Sequence, residues 1–299
     1  MKRSLWLVFV VYCLLSSAAW IIAPFAESAF FFERQIILYV VVGVGGLVFS
    51  RRELRTLGNR LPWVRLAVAG VGFGGVPACL IHWVGSGTSS IVTSATFALL
   101  PVVVVLVVSS GEATRCRDEG WGALSPALAA FGGVLLLLPV GLPGSARGQL
   151  MLAVAFVAVV LVAISGVWIH QLMQGVAIAE TIVIVCFANA TFLVICGLVG
   201  RDFMGGWSGL TTMLSLSSCV DVVQMVLLFW LLREMSPVRF ATRYLVIPLL
   251  TVVEGFVVLR PEVTVRIVVG VALLAGGTAW ILFSKVPDDG SAGMLRRKS

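Results

Sequence analysis

Charge is what this chain has least of. Asp, Glu, Lys and Arg make up 12% of its 299 residues, against about 25% in an ordinary soluble domain. A water-soluble globule cannot cover itself with so few charges, and the composition equally excludes disordered, collagen-like and disulfide-framework chains. There are two histidines, His82 and His170, and neither has a second ligand at metal spacing. A zinc site or a catalytic triad has nothing to build from, so no metal, no cofactor and no enzyme activity is expected. The six cysteines include no C-x-x-C pair, and Cys13, Cys79, Cys186, Cys196 and Cys219 fall in apolar stretches. They read as small buried thiols. The absence of a G-x-x-x-x-G-K loop removes ATP as a driving force. Gly70-Val71-Gly72-Phe73-Gly74-Gly75 matches G-x-G-x-x-G in form only, because it lies inside an apolar segment. Gly70 and Gly74 read there as a small-residue packing face between helices.

What the chain has in abundance is apolar residue, 60% of the total. A spanning helix needs about 20 apolar residues. Ten segments qualify, near 5–23, 30–49, 66–84, 90–109, 121–140, 149–169, 178–199, 210–232, 240–259 and 265–284. Their apolar runs are continuous, which excludes alternating barrel strands. The first, after Lys2 and Arg3, has the look of a signal peptide. Its length and the nine segments behind it make it an uncleaved first helix. The net charge of +7 reflects the positive-inside rule and not a nucleic-acid partner. With the N-terminus inside, fifteen loop and terminal cations fall on the cytoplasmic side and four, Arg147, Arg201, Arg260 and Arg266, outside. Only Arg34 and Arg243 lie within spans. Both termini are then cytoplasmic, and residues 285–299 read as a disordered tail.

The two halves echo each other. Gly87-Thr88-Ser89-Ser90, Pro101, Gly111-Glu112 and Gly132-Gly133 in the first correspond to Met235-Ser236-Pro237, Pro248, Arg260-Pro261-Glu262 and Gly276-Gly277 in the second. Aligning Pro101 with Pro248 pairs Thr96 with Arg243 and Phe97 with Tyr244. Five helices per copy is an odd number, so the copies must lie inverted in the membrane, a mark of secondary transporters. The expected fold is an all-α integral membrane protein of ten transmembrane helices in two inverted five-helix repeats, 1–140 and 141–284.

A helix with a mid-span proline, an acidic residue at its end and a following glycine pair resembles the drug/metabolite transporter superfamily of EamA type. The pattern is Pro101…Gly111-Glu112…Gly132-Gly133, and again Pro248 through Leu259 to Gly270…Gly277; the Arg34 helix resembles the family's second helix. The second repeat departs from the family at Leu259-Arg260-Pro261, which moves the acid to Glu262. The resemblance spans residues 5–284 and implies metabolite efflux across the inner membrane, with amino acids or related compounds as the leading substrates.

Ionisable groups inside spans are the candidate pathway residues, since a charge at mid-membrane costs at least about 2.5–3.5 kcal/mol. Asp221 falls near the middle of the eighth segment, with Gln224 on the same face. It is either the coupling carboxylate of a proton-driven carrier or part of a structural ion pair. Arg243 and Tyr244 lie about one turn into the ninth segment, where snorkelling to the cytoplasmic surface is the alternative for Arg243. Glu254 is on the face of Arg243 about 16 Å further along, too far to pair. Arg34, beside Glu33, stands about one turn below the outer surface; Asn189, Thr96 and His82 complete the set. Pro101 and Pro248 are candidate hinges, each freeing a backbone carbonyl in mid-membrane. The expected function is alternating-access transport of a small metabolite, with a lipid bilayer as surroundings. A non-transporting multi-span sensor or scaffold is the alternative. A lipid-modifying membrane enzyme would need a catalytic cluster richer than Glu33-Arg34 or the loop residues Glu112, Arg115, Arg117, Asp118 and Glu119.

Overall fold

The computed structural model describes residues 3–22, 31–50, 61–85, 90–110, 114–138, 145–200, 216–259 and 264–284, and among these every regular element is a helix. The order is α1 (Arg3–Ile22), α2 (Phe31–Ser50), α3 (Leu61–Gly70), a π-helical turn (Val71–Gly75), α4 (Val76–Gly85), α5 (Ser90–Phe97), α6 (Leu100–Ser110), α7 (Thr114–Leu137), α8 (Ala146–Met173), α9 (Ile178–Gly200), α10 (Leu216–Glu234), α11 (Pro237–Ala241), α12 (Arg243–Leu259) and α13 (Val265–Phe283). The sequence Leu-Pro-Val-Val-Val-Val-Leu-Val-Val of α6 would be a poor helix in water, because β-branched side chains lose rotamer freedom there. Lipid offers the backbone no other partner, so the helix forms regardless.

Among the described residues seven stretches are long and apolar enough to cross a membrane: Phe31–Phe49, Trp63–Trp83, Val92–Ser110, Ala146–Met173, Ile178–Gly200, Pro237–Val257 and Val265–Phe283. Ser4–Ala18 and Gly122–Leu137 are shorter apolar helices. Large apolar side chains such as Leu7, Phe49, Val199, Val257 and Trp280 stand fully on the outside of the bundle, where only lipid makes their exposure favourable.

The most extensive packing joins α7 to α13 and α2 to α9. Residues α3 to α4 lie on α8 and α9, and α5 and α6 lie on α8. Helix α1 lies on α10 and α12, and α2 also touches α10. Small residues set the closest approach. A methyl group on Gly133 would come within 2.6 Å of the Gly270 carbonyl oxygen and the Leu274 nitrogen, and one on Gly277 would meet the Pro126 carbonyl oxygen and Ala130. Ala127, Ala130, Val134 and Leu274 fill the rest of that seam.

The structure corrects the sequence reading in several places. Arg115, Arg117, Asp118 and Glu119, expected in a loop, lie in the first turns of α7; hydropathy marks where lipid begins, whereas charged residues continue a helix readily beyond it. The third segment is not uniform: Gly70 ends α3 and the glycine run winds as a π turn. Gly70 packs on Val185 of α9 and Gly72 on Ser165 of α8. Helix α8 begins at Ala146, earlier than expected, because the Ser145 hydroxyl caps it by accepting the Gly148 N–H at 3.1 Å. Glu112, Glu262 and the tail 285–299 lie outside the described residues.

Candidate functional site

The two mid-span prolines act through the residue four positions earlier. Proline has no N–H and its ring collides with that residue's carbonyl, so Pro101 disturbs Phe97 and Pro248 disturbs Tyr244. In the first case the helix breaks outright. A turn at Ala98 and Leu99 separates α5 from α6, with Leu99 N–H donating to Thr96 O at 3.1 Å, and Pro101 enters the first turn of α6, where its missing N–H costs nothing. In the second case Pro248 stays inside α12, and the break comes just before, at Thr242. There the Thr242 hydroxyl and N–H both turn back to the Arg239 carbonyl. The rings of Phe97 and Tyr244, which the alignment of Pro101 with Pro248 pairs, lie against each other at 5.9 Å between centroids.

Arg243 opens α12 immediately after that break, and its side chain is only 4% exposed. The guanidinium sits among four rings: Phe240 at 3.9 Å, Tyr244 at 4.7 Å, Tyr12 at 5.7 Å and Phe73 at 5.8 Å from carbon to ring centroid. Nη2 donates to the Tyr244 hydroxyl at 3.0 Å. Nη1 is buried with no hydrogen-bond partner, and no carboxylate faces the guanidinium among the described residues. Tyr12 is halfway along α1 and Phe73 is central in 61–85. The charge therefore lies among the helices of the bundle and does not snorkel to a helix end. A small void beside it, bordered by Phe73, Gly166, Phe240 and Leu232, has room for about one water molecule.

A polar thread runs from this cage along α1. Ser16, one turn along α1 from Tyr12, accepts from Gln224 Nε2 of α10. On the adjoining position Ser17 donates to Glu254 Oε1 of α12 at 2.6 Å, while Glu254 Oε2 is buried and unpartnered. Asp221, one turn from Gln224, accepts from Arg34 Nη2 of α2 as an ion pair. Arg34 is the fourth residue of α2 and Asp221 lies in α10, so the pair ties these two helices together. The two side chains are 36% and 23% exposed, so the pair is open to its surroundings.

The remaining candidates have local partners. Thr96 is buried and donates to Val92 O of its own helix at 2.7 Å. Asn189 Nδ2 donates to the Val185 carbonyl at 2.8 Å and to the Gly70 carbonyl at 3.1 Å. It thus ties α9 to the start of the π turn; Asn189 Oδ1 is buried without a partner. His82 stacks on Phe31 at 4.5 Å, and His170 Nδ1 meets the Leu232 carbonyl at 2.7 Å. Of the sequence candidates, the structure brings together Arg243 with Tyr244, and Arg34 with Asp221. Sequence reasoning missed Tyr12, Ser16, Ser17, Phe73 and Phe240. The available signal was the i, i+4 spacing of Tyr12 and Ser16 in a helix that was read only for its length.

Fold and site together define an all-helical membrane protein with charged and hydrogen-bonding side chains inside its bundle. No family model matches the chain, and no curated protein matches it. A solved structure described only as "Crystal structure of protein" is similar over 95% of this chain and 99% of its own, at 17% identity and a TM-score of 0.69. The arrangement of helices is therefore one that an experimentally solved chain also adopts.

Proposed function

We propose that this protein is a secondary transporter, an exporter of small metabolites across the inner membrane. It would work by alternating access between two inverted five-helix repeats, with ten spans and both termini in the cytoplasm, on the pattern that the EamA-like resemblance implies. The observation that carries the reading is the exchange symmetry of the packing. When α1, α2, α3–α4, α5–α6 and α7 are numbered as positions one to five, and α8, α9, α10, α11–α12 and α13 likewise, the larger contacts between halves come in matched sets. Position two meets position two and five meets five; three meets one and one meets three; four meets one and one meets four; three meets two and two meets three. A two-fold relation between the halves produces such pairs, and the odd number of helices per half in the proposed topology would set its axis in the membrane plane.

The detail supports the same reading. Gly270 precedes Gly277 by seven residues, as Pro126 precedes Gly133, and Leu274 and Ala130 precede them by three. Each glycine thus meets the counterpart of the residues its partner meets. Phe97 and Tyr244, matched by their prolines, touch at the centre. Two halves related in this way can rock about α7–α13 and α2–α9 while the breaks at Ala98–Leu99 and Thr242 bend. Asp221 is the proposed proton carrier, exchanging its ion pair with Arg34 for a proton as the site changes sides.

Topology gives the first check. Reporter fusions after residues 60 and 290 should both report cytoplasm, and a fusion near Gly144 should report the exterior. An odd number of crossings, with the ends on opposite sides, would overturn the inverted-repeat reading.

A further inference from the structure

A guanidinium this deeply buried needs a compensating negative charge or a full set of acceptors. Arg243 has neither among the described residues: its Nη1 is buried without a hydrogen-bond partner. Rings cover it on several sides, and cation–π attraction stabilises the charge without neutralising it. The cage draws on four elements, with Tyr12 from α1, Phe73 from the π turn, Phe240 from α11, and Arg243 and Tyr244 from α12. These meet where the backbone is least regular, at the π turn and the Thr242 break.

We propose that Arg243 and its ring cage are the anchor for the carboxylate of a small monoanion whose body is apolar or aromatic. Calling that ligand the transported substrate rests on the transporter reading; the binding itself does not. One guanidinium, with Nη2 engaged by Tyr244 and Nη1 open, balances one negative charge in a low-dielectric interior. A dianion such as a phosphate monoester would keep an uncompensated charge. A zwitterionic amino acid would bring an ammonium group next to the guanidinium, with no carboxylate in the cage to receive it. The nearest acid along α12, Glu254, is about 16 Å away on the helix and holds Ser17. The rings supply the apolar walls that the rest of a monocarboxylate needs. The void at Arg243 holds about one water, so entry requires α11 and α12 to part at Thr242, next to Arg243 itself.

The test uses the full-length protein in nanodiscs, reading ligand affinity from the shift of the thermal unfolding midpoint. The probes, used at about pH 8 so that phenylphosphonate is a dianion and phenylalanine a zwitterion, are 3-phenylpropionate, hexanoate, 3-phenylpropionamide, phenylalanine, phenylphosphonate and chloride. At least one of the two monocarboxylates should bind, and the neutral amide, the zwitterion, the dianion and chloride should each bind at least about tenfold more weakly. Arg243→Lys should lose about tenfold in carboxylate affinity and Arg243→Gln about 100-fold. Discrimination by the wild-type protein decides the matter even if a variant folds poorly. No binding of either carboxylate, or equal binding of amide, phenylalanine, phosphonate or chloride, would overturn the proposal. So would full affinity in folded Arg243→Gln. Selective binding without any counterflow of the same carboxylate in vesicles would leave the anchor standing and remove the transporter reading.

Discussion

Gly277→Leu is expected to part α7 from α13. A side chain at this position must occupy the space of the Pro126 carbonyl oxygen and of Ala130, and these are backbone and a rigid methyl, with no flexible end to swing aside. Overpacking of a close-packed core costs about 1–3 kcal/mol, and a collision with backbone belongs at the upper end. The neighbouring glycine is the control. Around Gly276, as around Gly132, there is open space, so Gly276→Leu adds apolar surface on the outside of the bundle and should leave stability unchanged. Thermal unfolding of the two variants in the same detergent checks this. Equal midpoints for Gly277→Leu and wild type would mean that the seam is not close-packed. Because Gly133 meets Gly270 and Leu274 in the equivalent way, Gly133→Leu should destabilise to a similar degree.

Asp221→Asn is expected to abolish proton-driven accumulation while exchange of substrate for substrate survives. The amide keeps the volume but can neither carry a proton nor neutralise Arg34. Removing one partner of an ion pair leaves the other charge uncompensated, so the variant should also be less stable than wild type. The openness of the pair to its surroundings keeps that loss below the cost of breaking a sealed one. The double variant Arg34→Gln with Asp221→Asn removes both charges and should recover stability, with a coupling between the two sites of about 0.5–3 kcal/mol. Accumulation should stay lost in both variants. Uptake driven by a pH gradient, measured beside counterflow in the same vesicles, separates the roles. Full accumulation by Asp221→Asn would make the pair a clasp between α2 and α10 and nothing more.

The helices were legible in the sequence because lipid leaves the backbone no alternative to helical hydrogen bonding, so a continuous apolar run is itself the signal. Where backbone geometry departs from a regular helix, hydropathy was silent. The π turn at Val71–Gly75 and the break at Thr242 look like ordinary span in the sequence, although Pro101 and Pro248 did locate the residues, Phe97 and Tyr244, that meet at the centre. Arg243 and Tyr244 were found because a charge in a span is costly enough to stand out. Tyr12, Phe73 and Phe240 were not, since an aromatic residue in an apolar run has no distinguishing cost until its neighbours are known. Asp221 stood out as an acid in an apolar run, but its pairing with Arg34 of α2 depends on how two helices far apart in sequence pack. Asn189 stood out as polar in a span; that it donates to the Gly70 carbonyl depends on how α9 packs against another helix.

The central claim, access to one site from alternate sides, is tested most directly at Ser16. This residue is half-buried on α1, between the cage and the ion pair, and serine to cysteine changes one atom. In a background with the six native cysteines replaced, Ser16→Cys in sealed vesicles of known orientation is treated with a membrane-impermeant maleimide from one face or the other. Alternating access predicts labelling from both faces, with a saturating monocarboxylate slowing each reaction. Labelling from one face alone, or from neither, would contradict the account.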